Sequence, residues 1–210
     1  MICWVEDPNS DAFKRHLARI PDFLWLSEDG MKAQIYDGCK SWETSFIIQA
    51  FCATDLVNEY GSTVRRAHEF IKNSQIVRNH PDQSYWHRHR SKGSWAFSSA
   101  DNGWAVSDTT AEALKAVLLL AKISSNVVGD SIERERLHDA VDCLLSFINK
   151  DGTVSTYECK RTYTWIEVLN PCENIPNIVA DYPFPECTSS VLQALVLFKE
   201  RHPSYRIKEI

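Results

Sequence analysis

The residues best suited to acid chemistry lie in one stretch, Trp104-Ala-Val-Ser-Asp-Thr-Thr-Ala-Glu112. This stretch places one carboxyl, Asp108, beside the hydroxyl of Thr109 at the predicted start of an apolar helix. An acid that must keep its proton until an apolar substrate arrives needs such a setting, because desolvation opposes ionisation and a donor to the carboxyl orients the acidic hydrogen. The alternative is structural, since an aspartate at the amino end of a helix often caps that helix.

The composition argues against several classes of protein. The chain has 210 residues, is 44% hydrophobic and carries a formal net charge of −5, so we predict a buried core and no nucleic-acid partner. The basic run 87–90 lies in a polar stretch and is interpreted as solvated surface. Seven cysteines without a Cys-x-x-Cys pair favour reduced thiols in the cytosol.

Other sequence signals are missing. His80, His87 and His89 have no acidic or cysteine pattern beside them, so we predict no metal site. No apolar run reaches the length of a membrane span, and the first twenty residues have no signal-peptide core. We therefore expect a protein that is soluble, or at most rests on a membrane surface.

Helical periodicity predicts an all-α fold. Apolar residues recur at helical spacing in five segments: 42–57, 62–75, 109–123, 132–149 and 187–200. Residues 1–41 are expected to form an irregular lead-in to a single domain over 1–210. Long loops over 76–107 and 150–186 follow successive helical hairpins, and loops of that length usually have a function.

Three of the predicted helices are related by internal similarity. When Thr44, Thr110 and Thr188 are aligned, their helices fall into register, and these helices are the most apolar ones. The helices between them carry charges on one face, which is typical of inner helices that alternate with amphipathic outer ones. Inner helices that enter in the same direction would bring Asp108, Trp42 and Cys187 to one cavity.

At several places the sequence resembles the oxidosqualene cyclases, which fold 2,3-oxidosqualene into sterols and triterpenes. Residues 104–112 are similar to the Asp-Cys-Thr-Ala-Glu motif of that family. Further blocks read like plant members, namely Met1-Ile-Cys-Trp-Val-Glu-Asp-Pro-Asn9, Ala18-Arg-Ile-Pro-Asp-Phe-Leu-Trp25, Ala67-His-Glu-Phe-Ile-Lys-Asn-Ser-Gln75, Ser155-Thr-Tyr-Glu158 and Glu186-Cys-Thr-Ser-Ser190. Several blocks in the right order are more specific than one motif. Because the chains of the family are much longer, the resemblance implies an internal fragment of the catalytic half.

The resemblance implies a partial α/α barrel of inner and outer helices. It also implies sequence repeats that fasten outer helices to the loops after them. Residues 66–75 together with Gly93-x-Trp95 preserve one such repeat. A second, over 140–154, is degraded: Ile148 replaces the glutamine and Val154 replaces the aromatic residue. We expect these departures to affect local stability more than chemistry.

Four residues match the acid machinery of the family. Asp108 resembles the acid that protonates the epoxide, and Cys187 matches the thiol that hydrogen-bonds to that acid. Thr109 stands where the family usually has a second cysteine, and its hydroxyl can still donate a hydrogen bond. Glu112, one helical turn after Asp108, resembles the carboxylate of the reprotonation network. The single acid after Val106-Ser107 favours oxidosqualene over squalene as the substrate of the family.

Aromatic residues match the family's cation-facing wall. Trp42, Phe97 and Tyr157 correspond to rings that stabilise passing carbocations without acting as nucleophiles. The alternative for each ring is ordinary core packing. By the same resemblance, Ile178 lines the substrate channel and Val106 lines the pocket wall.

The resemblance also implies an activity and a setting. The full-length family needs no metal or redox cofactor and contacts the endoplasmic reticulum or lipid droplets from the cytoplasmic side. We expect this chain to be inactive alone, because the partner barrel and the closing helices of the family are missing. Two alternatives stay open: a non-catalytic helical binding module or degenerate gene product, and an α/α-barrel glycoside hydrolase with Asp108 and Glu186 as its carboxylate pair.

Overall fold

Residues 2–33, 38–172, 176–177 and 179–210 are described by a computed structural model. They fall into two units, Met1–Gly38 and Cys39–Ile210. Helices predominate, as the periodicity predicted, and a two-stranded sheet in the first unit is the exception to an all-α fold.

The first unit is more regular than the sequence analysis predicted. Its elements are α1 (Ile2–Glu6), α2 (Asp11–Arg19), a 3-10 helix (Ile20–Phe23), β1 (Leu24–Ser27) and β2 (Gly30–Ala33). The strands pair antiparallel, with Trp25 opposite Lys32, and Gly30 has a φ of +114°, which favours glycine. The hairpin escaped sequence analysis because its strands have four residues each and Trp25 and Leu26 are both exposed. A two-residue burial alternation is therefore absent there.

The second unit contains the helices that carry the candidate site. They are α3 (Lys40–Cys52), α4 (Gly61–Ser74), α5 (Ser107–Leu120), α6 (Ser125–Val128), α7 (Arg134–Ser146) and α8 (Pro185–Arg201), with 3-10 helices at Asp55–Val57, Ala100–Asn102 and Thr164–Leu169. The five predicted helices correspond to α3, α4, α5, α7 and α8. The largest difference is at α3, which ends at Cys52 because Thr54 turns back and donates its hydroxyl to the carbonyl of Phe51.

Helix α5 lies at the centre of the second unit. It packs against α3 and α8, while α4 packs against α3 and α7 packs against α5. Twelve of the fourteen residues of α5 are buried. On α3 and α8, by contrast, apolar residues such as Ile47 and Leu192 remain exposed. Burial thus distinguishes α5 from the other helices, while the contacts group the apolar α3, α5 and α8 side by side, with the charged α4 and α7 packed against them.

The preserved repeat joins α4 to the loop that follows by a buried ring and several side-chain hydrogen bonds. Trp95 is 0% exposed and its indole N–H donates to the carbonyl of Ile71 at 2.7 Å. The Gln75 amide donates to Gly93 O (2.8 Å) and to Arg136 O (3.0 Å), and it accepts from Arg136 Nε at 2.7 Å. The loop is therefore fixed to both α4 and α7.

The degraded repeat keeps the backbone pattern of the preserved one. Ile148 and Val154 form an isolated antiparallel bridge, as Gln75 and Trp95 do in the first repeat. Val154 is buried, but Ile148 is 38% exposed. The shape of the joint has been retained without the hydrogen bonds of the glutamine side chain.

Candidate active site

The amino ends of three helices meet at one cavity of about 370 Å³. The first turns of α3, α5 and α8 contribute Trp42, Asp108 and Glu186, in that order. Phe46, Glu112, Lys115, Ser189, Ser190 and Gln193 complete the lining. The internal alignment of the three helices predicted that their amino ends converge. Glu186 is the residue in the first turn of α8 that lines the cavity, whereas its buried neighbour Cys187 is not among the lining residues.

The amino end of α3 is closed by the loop of the preserved repeat. The carbonyl of Phe97 accepts the N–H groups of Ser41 (2.9 Å) and Trp42 (3.4 Å), and Ser41 Oγ donates to Ser98 O at 2.7 Å. These bonds satisfy donors that a helix end leaves free. They also fix the ring of Phe97 beside the ring of Trp42, edge to face with centroids 6.0 Å apart.

The amino end of α5 is closed in the same way by the second loop. Ser107 N–H donates to the carbonyl of Thr156 at 2.8 Å. The next residue is Asp108, whose Oδ1 accepts the N–H of Thr109 at 2.6 Å and the Thr109 hydroxyl at 3.4 Å. Both hydrogen bonds go to the same carboxyl oxygen, so Oδ2 is left to face another group.

The pKa of the Asp108 carboxyl is raised above its ordinary value. Burial is the main cause, and the charge of Glu112 adds to it. The two hydrogen bonds from Thr109 act in the opposite direction without cancelling the effect of burial. A raised pKa favours the neutral acid, which is the form that can donate a proton.

Glu112 is held in a buried network that links the three inner helices. It is 2% exposed, and its carboxylate pairs with Lys115 Nζ at 2.8 Å and accepts from Gln49 Nε2 at 2.7 Å. Lys115 in turn donates to Gln193 on α8 at 3.1 Å. Glu112 is therefore within one helical turn of Asp108, with its negative charge paired.

The buried thiol of Cys187 has a different partner from the expected one. Its hydrogen bond among the described residues is with Thr156 Oγ1, at an Sγ–Oγ1 distance of 3.5 Å. Burial raises the pKa of the thiol, and the charge of Asp108 contributes to the rise. Cys187 therefore lies within electrostatic reach of the acid, and its partner Thr156 contacts Ser107, the residue before the acid.

Five rings form a continuous series beside the acid. Phe46 meets Trp42 at 5.4 Å, Trp42 meets Phe97 at 6.0 Å, and Tyr157 lies 6.3 Å from both Phe97 and Trp104, all edge to face. Sequence analysis selected Trp42, Phe97 and Tyr157 for this wall. Tyr157 is 39% exposed and Trp104 is 46% exposed, so the described residues leave this end of the series open to solvent.

The two remaining predicted residues have no shown role in the wall. Val106 is buried, and it is not among the residues that line the cavity at Asp108. Ile178 lies outside the described residues. Sequence analysis also missed Lys115, Thr156 and Asp181. The three-residue spacing of Lys115 from Glu112 could have revealed that ion pair, whereas Thr156 and Asp181 are 25 residues apart and no spacing reveals their contact.

No group of three histidine, cysteine or acidic side chains within 2–33, 38–172, 176–177 and 179–210 could hold a metal ion. In the same part of the chain, every helix is too short or too polar to cross a membrane.

Several known proteins are similar to this chain in sequence. No protein-family model matches it. The chain is 44% identical over 211 residues to an alpha-onocerin synthase of Lycopodium clavatum and 47% identical over 209 residues to a lanosterol synthase of Homo sapiens, and it covers 28% of each. It is 39% identical over 212 residues to a cycloartenol synthase of Dictyostelium discoideum, of which it covers 30%. These alignments include 100%, 99% and 100% of the chain, respectively.

The relatives come from a clubmoss, an animal and an amoeba, so the similarity is not particular to plants. All of them are named as synthases of triterpenes or sterols. By sequence, the chain is therefore similar along almost its whole length to these oxidosqualene cyclases, and it spans about three-tenths of their length.

Proposed function

We propose that this chain is the part of an oxidosqualene cyclase that carries the initiating acid. Asp108 would transfer its proton to the epoxide oxygen of 2,3-oxidosqualene, the C–O bond would open, and the resulting cation would be attacked by the neighbouring alkene. The observation that carries the proposal is the position of Asp108, a half-buried carboxyl with a raised pKa at the meeting point of three helix ends. The layered helices are consistent with a partial α/α barrel as its scaffold.

The hydrogen bonds of Asp108 support a role as proton donor. Since Thr109 donates twice to Oδ1, the acidic hydrogen belongs on Oδ2. Epoxide protonation is easier than alkene protonation, so one carboxylic acid suffices. Glu112 then has the role of a nearby carboxylate through which the acid is reprotonated, and Cys187 acts on the acid through Thr156. The overall reaction is an isomerisation and requires no redox cofactor or metal.

The series of rings supports the guidance of cations. A desolvated aromatic face stabilises a cation by about 0.5–2 kcal/mol and is not a nucleophile. Trp42 contacts Phe97 and Phe97 contacts Tyr157, so a cation that moves along them would pass from one ring to the next. Val106 behind Asp108, and Ile178, complete the proposed pocket and channel.

We expect the isolated chain to give no cyclised product. The chain covers only 28–30% of each relative, so every relative is more than three times as long, and the ring series is open to solvent at Tyr157 and Trp104. Water at that end would capture a cation before cyclisation is complete. The water-insoluble substrate also favours contact of the whole enzyme with the endoplasmic reticulum or lipid droplets.

A chimera tests the proposal. The aligned segment of the human lanosterol synthase, 47% identical over 209 residues, is replaced by this chain. Incubation with 2,3-oxidosqualene and analysis by gas chromatography with mass spectrometry should detect cyclised product. Asp108→Asn should abolish the product, and Asp101→Asn, at an exposed carboxyl in the loop before α5, should not. A folded chimera whose Asp108→Asn variant still cyclises the substrate would overturn the proposal.

A second function has one observation in its favour, because Asp108 and Glu186 line the same cavity. A glycoside hydrolase would use both carboxylates, and its activity would be lost with Glu186→Gln as fully as with Asp108→Asn. The cyclase proposal expects the Glu186→Gln chimera to keep cyclising. A non-catalytic binding module would instead be indicated by a stable monomer that binds a lipid or protein and by chimeras that never turn over.

A further inference from the structure

We propose that Asp181 is a positioning residue that fixes both the acid helix and the ring of Tyr157 through the backbone of Thr156-Tyr157. The inference rests on the proposed function, since it assigns Asp181 to the same site. Asp181 has no contact with the acid itself and is not proposed to exchange protons with substrate. Its effect passes through two neighbouring backbone groups.

The contacts of the Asp181 carboxylate point to this role. One oxygen, Oδ2, accepts the N–H of Thr156 at 3.0 Å and the N–H of Tyr157 at 3.4 Å. A carboxylate is a strong acceptor for backbone N–H groups. The two donors lie 24 and 25 residues earlier in the chain, so Asp181 joins two separate loop segments.

Thr156 transmits this restraint to the acid. While its N–H is held by Asp181, its carbonyl accepts the N–H of Ser107 at 2.8 Å and its hydroxyl meets the thiol of Cys187 at 3.5 Å. Ser107 is the first residue of α5 and immediately precedes Asp108. A continuous path of hydrogen bonds therefore runs from Asp181 to the helix end that carries the acid.

Tyr157 is held from its other side as well. The next residue, Glu158, pairs with Arg88 Nε at 3.0 Å and with Arg161 at 2.7 Å. Arg88 also lies over the ring of Trp104, with its guanidinium carbon 4.1 Å from the centroid. The backbone of Tyr157 is thus fixed between the Asp181 carboxylate and this ion-pair cluster, and its ring is kept within the aromatic series.

The same loop offers a matched control. Asp151 also accepts hydrogen bonds with its carboxylate, from Thr153 N–H at 3.0 Å and from the Thr153 hydroxyl at 2.7 Å. These bonds join residues two apart and fix only a local turn. Replacing Asp151 therefore removes a similar interaction without touching the path to α5.

Hydrogen exchange of backbone amides, measured by NMR on the full 210-residue chain, tests the proposal. Asp181→Ala should raise the exchange rate of the Ser107 N–H by at least about tenfold, because its acceptor carbonyl is no longer fixed. The N–H of Ser41, which is bonded to the equivalent carbonyl of Phe97 at the end of α3, should change less than about twofold. Asp151→Ala should leave both rates unchanged.

The conservative variant separates positioning from a general loss of stability. Asp181→Asn keeps an oxygen that can accept from Thr156 and Tyr157, so the exchange rate of Ser107 should return to within about twofold of the wild-type value. The proposal is wrong if Ser41 and Ser107 respond equally to Asp181→Ala, if neither responds, or if both Asp181 variants fail to fold. Because exchange needs no turnover, an inactive chimera would contradict the proposed cyclase and leave this measurement intact.

Discussion

The two repeats of the second unit differ in their side chains and agree in their backbone. In the first, a fully buried Trp95 and a glutamine with three hydrogen bonds join α4, its loop and α7. In the second, Val154 and the partly exposed Ile148 form the same bridge with no such side-chain bonds. Both loops nevertheless end by closing the amino end of an inner helix. The backbone bridge is therefore sufficient for the geometry of the loop, while the side chains determine how strongly the loop is held.

The largest effect is expected at the glycines of the two repeats. A Cβ at Gly93 would lie 2.2 Å from the backbone of Asp139, and its φ is +95°, whereas Gly152 has a φ of +86° and open space around it. We expect Gly93→Ala to lower the free energy of unfolding by about 4 kcal/mol or more. Gly152→Ala should lower it by about 1–2 kcal/mol from backbone strain alone. Urea denaturation of both variants measures the difference, and equal losses would contradict it.

The bridge residues should show the next largest difference. Trp95→Ala removes a fully buried ring and its hydrogen bond to Ile71, and we expect a loss of about 3–5 kcal/mol. Val154→Ala removes two methyl groups and should cost about 1–2 kcal/mol. Thermal unfolding followed by circular dichroism provides the comparison. If Val154→Ala were as damaging as Trp95→Ala, the second repeat would be held as strongly as the first.

Single substitutions at the glutamine of the first repeat and the isoleucine of the second test the same difference with a smaller expected effect. Gln75→Leu leaves Arg136 and the carbonyl of Gly93 without their partner, so we expect a loss of about 2 kcal/mol. Ile148→Gln alters a partly exposed side chain and should change stability by less than about 0.5 kcal/mol. Chemical denaturation of the two single variants is the measurement. A clear gain in stability from Ile148→Gln would mean that a glutamine at this position can form side-chain hydrogen bonds like those of the first repeat.

The smallest effect concerns the pH dependence of two carboxyls, Asp108 at the helix end that the second loop closes and Asp151 at the start of that loop. The pKa of Asp108 is raised by burial, so its contribution to stability is complete below the ordinary aspartate pKa and is lost as pH rises through the raised value. Asp108→Asn should therefore be more stable than wild type at neutral pH, with the advantage disappearing in acid. Hydrogen bonds from Thr153 lower the pKa of Asp151, so stability from that group is lost as pH falls. The measurement is the urea midpoint of each variant minus that of the wild type, at acid and at neutral pH. As pH rises, this difference should increase for Asp108→Asn and decrease for Asp151→Asn.

The sequence was sufficient for the helices and for their layering. The helices α3, α5 and α8 are more apolar than α4 and α7, which carry charges on one face, and that pattern depends only on the chain itself. The hairpin Leu24–Ala33 could not be predicted, because its exposed apolar residues do not alternate. The bounds of α3 also differed, since a side-chain bond of Thr54 to the backbone competes with the helix.

For the site, the internal alignment correctly predicted that Trp42 and Asp108 share a cavity. It placed Cys187 there too, although the neighbouring Glu186 is the residue that lines it. Contacts within the long loops could not be predicted from the sequence, because the folded path of the chain brings Asp181 to Thr156 across 25 residues. The roles proposed for the site residues remain predictions that the chimera tests.

The closure of each inner helix by a later loop has a consequence for biosynthesis. The carbonyl groups that complete α3 and α5 belong to Phe97 and Thr156, which the ribosome makes only after α4 and α7, respectively, have been synthesised. Each nascent helix therefore leaves the ribosome with unsatisfied backbone N–H groups at its amino end. These groups gain their acceptor carbonyls only when the later loop has been synthesised. Assembly of the acid-bearing end is accordingly a late event during translation, and pausing before codon 156 would leave it unfinished.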